Sequence, residues 1–205
     1  MSSDYALPSD LSEEAPGLSA EQEDFACSAM IRYAAGDDQA FADVYAAVAP
    51  RLYRFCVYLA GHAEAGDLLQ EVFLKMHRAR GSFVRGGSVR AWSFAIARTT
   101  CIDRARSRRS RPEDSARPSA LELASVGADG SPEDASVGLA LEQHIARILL
   151  TLPESLRSAY VLVKIEGLTS GEAGEVLGAS ATATKDRVHR ASVALRQGLS
   201  AAGWQ

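Results

Sequence analysis

Along most of this chain apolar residues return every three or four positions, and almost nowhere do they alternate with polar ones. That period collects them on one face of a helix. From Ser19 to about Arg108 the pattern is broken only at Gly36-Asp37-Asp38, at Gly61-His62 and between Gly81 and Gly87, where the residues favour turns. In AEAGDLLQEVFLKMHRA, residues 63–79, Leu68, Val72 and Met76 with Leu69 and Phe73 form a stripe to bury, while Asp67, Gln70, Glu71 and Lys75 lie on or beside the outer face. The stretch PEDSARPSALELASVGADGSPEDAS, 112–136, has little to bury and reads as a linker. The helical pattern resumes near Val137 with LEQHIARILLTL, breaks at Pro153, runs through SLRSAYVLVKIEG, and continues as TSGEAGEVLG and SATATKDRVHRASVALRQGL. The expected fold is all-α. Two small helical domains, 19–111 and 137–205, are joined by a flexible acidic linker and preceded by a mobile acidic tail over 1–18.

The last two segments read as helix, tight turn, helix. Thr169 can cap the first, whose Ala173, Val176 and Leu177 share a face; Gly178 supplies the stop, and Ser180 or Thr182 can cap the second. In that second helix Ala181, Thr184, Val188, Ala191 and Leu195 recur at core spacing. Thr182, Ala183, Lys185, Asp186, Arg187, His189 and Arg190 are left outside, where a helix-turn-helix presents side chains to the major groove. Lysine and arginine there can meet phosphates or the acceptor edge of guanine. An ordinary surface helix in a bundle is the plainer alternative. Gly171 and Gly174 each carry a helix-interior cost of about 1 kcal/mol, and Asp186 places an acid on the expected DNA face.

Charge adds what hydropathy cannot. The net formal charge is −4, yet residues 75–111 carry eleven Lys or Arg against one acid, Asp103, and the flanking stretches 38–74 and 112–144 are acidic. Such asymmetry points to a polyanion-binding face. On a helix through RAWSFAIARTTCIDRARSRRSR, residues 90–111, Trp92, Ala95, Ile96 and Ile102 share one arc and Arg90, Arg98, Arg104 and Arg108 the opposite one, with Arg109 beside them. Phe94 falls next to the cations, and the preceding loop offers Phe83 between Arg80 and Arg85. Aromatic surface beside positive charge suits unstacked bases on a single strand. Trp92 as a core residue and the arginines as a solvated face are the plain alternatives, but a solvated face usually mixes signs.

Other chemistries find no support in the residues. The cysteines, Cys27, Cys56 and Cys101, are odd in number and far apart, which argues against a disulfide framework and for a reducing compartment. No P-loop, nucleophile elbow or H-E-x-x-H occurs, and His62, His77, His144 and His189 are scattered. Asp67 and Glu71, one turn apart, could share a metal, but no histidine or third carboxylate sits at a matching spacing. No catalytic residue, metal or cofactor is therefore expected. No leader pattern and no membrane-length apolar run appear, so the expected location is cytoplasmic, without membrane insertion.

The order of these parts resembles the extracytoplasmic-function (ECF) sigma factors of bacterial RNA polymerase, in the sigma-70 family. The matching stretches are AAGDDQAFADVYAAVAPRLYRF, AGDLLQEVFLKMHRA, WSFAIARTTCIDRARSRR and LPESLRSAYVLVKIEGLTSGEAGEVLGASATATKDRVHRASVALR. The resemblance implies that Asp67, Leu68, Gln70, Glu71 and Phe73 dock on the polymerase core. It implies that Phe83, Arg85, Arg90, Phe94, Arg98, Arg104, Arg108 and Arg109 meet the start-proximal promoter element as it melts. Ser180, Thr182, Lys185, Arg187, His189 and Arg190 would read the upstream element. Core polymerase, promoter DNA and an anti-sigma factor are the implied partners. The alternative function is a free-standing helix-turn-helix regulator whose first domain senses a ligand or dimerises.

Overall fold

The computed structural model of the protein describes residues 20–110 and 132–203; the side chains of Ala20, Arg109 and residues 132–140 lie outside the described set. The tail over 1–18 and most of the linker are likewise outside it. Among the described residues every regular element is helical.

Four helices make the first domain: α1 (Ala20–Ala34), α2 (Ala40–Ala60), α3 (His62–Ala79) and α4 (Val89–Arg109), with a single 3₁₀ turn over Arg80–Ser82. The turns fall where glycine and acid interrupt the apolar pattern. At Gly61 the backbone takes φ 92°, a region that glycine enters without a Cβ clash, and its N–H closes α2 on the Val57 carbonyl before α3 begins one residue later. Ala40, Val44, Val48, Leu52, Phe55 and Leu59 of α2 are buried at intervals of three and four, against Leu68, Val72 and Met76 of α3. Full burial of side chains such as Leu52, Phe55 and Leu68 contributes about 1.5–3 kcal/mol each. Ser88 caps α4 by accepting from the Ala91 N–H, and its hydroxyl donates to Glu23 Oε1 at 2.7 Å, which ties α4 to α1.

The second domain holds α5 (Pro132–Thr151), α6 (Glu154–Tyr160), α7 (Ser170–Leu177) and α8 (Ala181–Ala201). α5 begins at Pro132, upstream of the expected start near Val137; proline is well suited to a first helical turn, where no intrahelical N–H is required. After α6 the chain widens into a π-helical stretch over Val161–Ile165, closed by Glu166 N–H on the Val161 carbonyl at 2.8 Å. The helix-turn-helix forms through the caps that the sequence supplies. Thr169 and Glu172 make a reciprocal capping box, Gly178 stands in the left-handed region at φ 62°, and Ser180 accepts from Ala183 N–H. Gly174 is a packing requirement: a Cβ there would lie 2.6 Å from the Ala179 carbonyl oxygen.

The two domains are not beads on a string. One apolar core runs from Met30 through Phe55, Phe94 and Leu162 to Leu195, α5 and α6 pack on α2, and α7 packs on α4. This arrangement corrects the expected disposition of α4. Its core-facing side is Val89, Ser93, Phe94, Ala97, Thr100 and Cys101, all buried, whereas Trp92, Ala95 and Ile96 are half-buried. Ala91, Trp92 and Ala95 line a cavity that Glu175 and Val176 of α7 close from the other side. A helix covered on two sides carries two apolar arcs.

Candidate protein and nucleic-acid interfaces

Three surfaces collect the residues singled out in the sequence. The first is the outer side of α3. Asp67 and Gln70 are exposed there, but Leu68 is fully buried, so it does not offer its side chain as the resemblance implied, and Phe73 is nearly buried. Phe73 forms the floor of an apolar groove of about 650 Å³ between α2 and α3, with Tyr45, Leu69 and Leu74 along its sides. Tyr45 and Leu74 are 45% and 56% exposed. The sequence reading missed both, although Leu74 is an apolar residue on the polar side of α3. Glu71 accepts from Arg104 Nη2 at 3.0 Å and from Lys75 at 3.3 Å. Partial burial opposes its ionisation, but these two cations hold its carboxyl below the usual carboxylate range.

The second surface is the basic helix α4 with the loop before it. Phe94 is 1% exposed and packs on Phe55 with ring centroids 5.1 Å apart, and Phe83 turns inward against the edge of Trp92 at 5.5 Å. The aromatic platform expected beside the cations is therefore absent in this conformation. Nor do the arginines stand free. Arg98 makes a two-pronged contact with Glu154 at 2.9 and 3.2 Å, Arg90 meets Glu172 at 3.2 Å, Arg104 meets Glu71, and Arg108 pairs with the buried Glu64. Two of these four carboxylates, Glu154 and Glu172, belong to the second domain. Glu172 also accepts from the Thr169 N–H and hydroxyl; burial works against its charge, yet these hydrogen bonds and Arg90 keep its carboxyl below the ordinary range. Arg85 projects from the loop, exposed, and the Arg109 side chain is outside the described residues.

The third surface is the N-terminal half of α8. Thr184, Val188, Ala191 and Leu195 are buried as expected; Ala181 is exposed, because it is the first residue after the cap and the core begins one turn later. Thr182, Lys185, Asp186, His189 and Arg190 face outward and Arg187 is half-buried. Only a loose pair at 4.0 Å joins Arg190 to Asp186 among these described side chains. Ser180 is exposed, and its hydroxyl is committed to the cap, accepting from the Ala183 N–H.

A helix bordering an apolar groove, a basic helix whose arginines are paired and an open helix-turn-helix define an all-helical protein of the helix-turn-helix class. Comparison with known proteins narrows that class. The region 2 part of sigma-70 matches residues 44–111, and the sigma-70 region 4 part matches residues 142–195. The chain is 34% identical over 170 residues to the ECF RNA polymerase sigma factor SigW of Bacillus subtilis, spanning 80% of this chain and 91% of that one. It is 33% identical over 174 residues to the RNA polymerase sigma factor CarQ of Myxococcus xanthus, covering 82% and 94%. Its fold matches the sigma factor RpoE of Bartonella quintana, solved in complex with the anti-sigma factor NepR, with TM-score 0.64 and 26% identity over 78% of this chain and 96% of that one. The chain belongs to the ECF group of the sigma-70 family.

Proposed function

We propose that this protein is a promoter-specificity subunit: it binds core RNA polymerase, carries it to promoter DNA, and acts there as a sigma factor in transcription initiation. The observation that carries the reading is the pairing, in one chain and in family order, of a region 2 domain bearing a basic helix with a region 4 domain presenting an open helix-turn-helix. RNA synthesis then belongs to the core enzyme, and the working location is the cytoplasm.

In this reading residues 19–111 form the docking and melting domain and 137–205 the upstream reader. Asp67, Gln70 and Glu71 contact the polymerase, with the Tyr45 and Leu74 groove as the apolar part of the same surface. Arg85, Arg90, Arg98, Arg104 and Arg108 hold the displaced backbone, where each phosphate contact releases counterions. Phe83 meets an unstacked base only by leaving its place against Trp92, and Phe94 supports the helix from beneath. Thr182, Lys185, Arg187, His189 and Arg190 enter the major groove from a helix that Ser180 starts. Two moderate grips on one duplex reinforce each other through effective concentration. The structural likeness to a sigma factor solved with its anti-sigma factor supports a comparable inhibitory partner.

Reconstitution with core polymerase and sequencing of transcript starts tests this directly. Defined starts that require the chain support it; absence of chain-dependent starts across a genomic template overturns it. The Glu71→Lys variant is expected to lose core co-purification while keeping its helical signal, and normal co-purification would displace the docking site from α3.

A further inference from the structure

The outward side of α8 carries one group at odds with its neighbours. Over residues 181–190 the cations are Lys185, Arg187 and Arg190, and Asp186 is the one acid among these described residues. Thr184, Val188, Ala191 and Leu195 define the buried arc. At about 100° per residue Asp186 stands almost directly opposite the centre of that arc, with Thr182 and Arg190 one turn to either side. Its side chain is 65% exposed, that of Arg190 is 64% exposed, and the two meet only loosely, Asp186 Oδ2 lying 4.0 Å from Arg190 Nη1. The carboxylate has no part in building the helix: Ser180 supplies the cap, and the buried arc closes without Asp186.

A recognition helix turns the side away from its own core toward the major groove, and its N-terminal residues meet the base edges. For a carboxylate that place is selective. Phosphate oxygens, guanine O6 and N7 and thymine O4 are all acceptors, so each repels it; the donors in the groove are the amino groups of cytosine N4 and adenine N6. Adenine sets its N7 acceptor beside N6, whereas cytosine presents a donor and no acceptor of its own. Arg190 suits a neighbouring guanine. Its guanidinium has five donors in a planar fork, so one edge can rest on the Asp186 carboxylate while two donors remain for guanine O6 and N7. Four residues of helix rise about 6 Å, the height of about two base pairs at roughly 3.4 Å each.

We propose that Asp186 is a base-selecting residue: its carboxylate accepts from the N4 amino group of one cytosine in the upstream promoter element, rejects guanine and thymine there, and steadies Arg190 on a guanine within two base pairs. The assignment rests on the reading of α8 as the upstream reader given above. It separates Asp186 from Lys185 beside it, which meets phosphate from the flank of the helix and adds affinity without choosing a sequence.

The test uses the holoenzyme reconstituted with core polymerase, on a promoter located by mapping its transcript starts. The upstream element is randomised, and the templates retained in heparin-resistant complexes are sequenced for the wild type, D186A, D186N, K185A and R190A. The wild type should favour cytosine over guanine and thymine by about tenfold at one position, and D186A should level that position to within about twofold. D186N should turn the same position toward adenine, whose N6 and N7 an amide reads with two hydrogen bonds. R190A should level a guanine no more than two positions away, and K185A should lower retention evenly across all sequences. A wild type without a cytosine-selecting position, a cytosine preference that survives in D186A, or a D186A profile weakened evenly along the element overturns the assignment and leaves α8 as the reader. A profile that is flat across the upstream element, or unchanged by D186A, K185A and R190A alike, overturns the reading of α8 and the assignment with it.

Discussion

Helices α4 and α8 are of equal length and both bring cations to a face that the proposed function assigns to DNA, yet they are treated oppositely by the rest of the chain. On α4 Arg90, Arg98, Arg104 and Arg108 each have a carboxylate partner, two of them from the other domain. On α8 Lys185, His189 and Arg190 stand at the surface, with Asp186 on the same helix as the only acid near Arg190 among the described residues. The difference follows from what lies beneath. α4 is sandwiched between α2 and α3 on one side and α7 on the other, so its arginines end in a partly dry seam; α8 has its core on one side only. Exposed charge on α8 acts on a distant anion with little opposition, whereas Arg90, Arg98, Arg104 and Arg108 of α4 are each partly offset by a neighbouring carboxylate.

The largest effect expected from breaking this contrast is at the buried side of α4. Phe94→Ala removes a fully buried ring packed on Phe55 and should destabilise the protein by about 3–5 kcal/mol in urea unfolding. An unchanged midpoint would return Phe94 to the surface. The helix-turn-helix offers an internal contrast of its own. Gly174→Ala drives a Cβ to 2.6 Å from the Ala179 carbonyl and should cost about 1–3 kcal/mol, while Gly171→Ala, whose nearest neighbour is at 3.8 Å, should gain about 0.5–1 kcal/mol. Thermal midpoints moving in opposite directions are the expected result.

Smaller, but closer to the comparison itself, is removal of one cation from each helix. Arg98→Ala breaks a two-pronged, partly exposed pair and should lower stability by about 0.5–1 kcal/mol, whereas Lys185→Ala should leave the unfolding midpoint within error and weaken duplex binding. Equal losses of stability would show that α8 is guarded too. The smallest effect concerns acid. The Glu172 carboxyl titrates lower in the folded chain than the ordinary glutamate value of about 4.3. Its ionised form therefore stabilises the fold above that value, and the contribution is lost as pH falls through the depressed one. The stability gap between wild type and E172Q should be full at neutral pH and close as pH falls through the depressed value; a gap that persists in acid would place the origin of the shift elsewhere.

The boundaries of the helix-turn-helix were legible because the chain writes them in caps and stops: Thr169, Gly178 and Ser180 each satisfy or release backbone groups locally, whereas the Ser88 cap and the Glu172 half of the capping box emerged only in the structure. The outward set on α8 was legible for the same reason, since a helix with one buried side has one apolar arc. On α4 the same rule misled. Trp92 and Ala95 face the second domain across a cavity closed by Val176, and the true core side contains Ser93, Ala97 and Thr100, which are small or polar. The ion pairs that close the seam were invisible for a different reason. Glu166 and Arg54 are 112 positions apart, and nothing in local periodicity marks which surface acid will meet which surface arginine. Gly174 was read as a cost because its contact with the turn exists only in three dimensions.

The most direct measurement is permanganate reactivity of thymines in a promoter duplex, compared between the free chain, core polymerase alone and the two together. The account predicts reactive thymines near the transcription start only when both are present, because α4 reaches an opened strand only in the assembled enzyme. Reactivity that does not depend on the chain, or sequence-specific opening by the chain without polymerase, would contradict it.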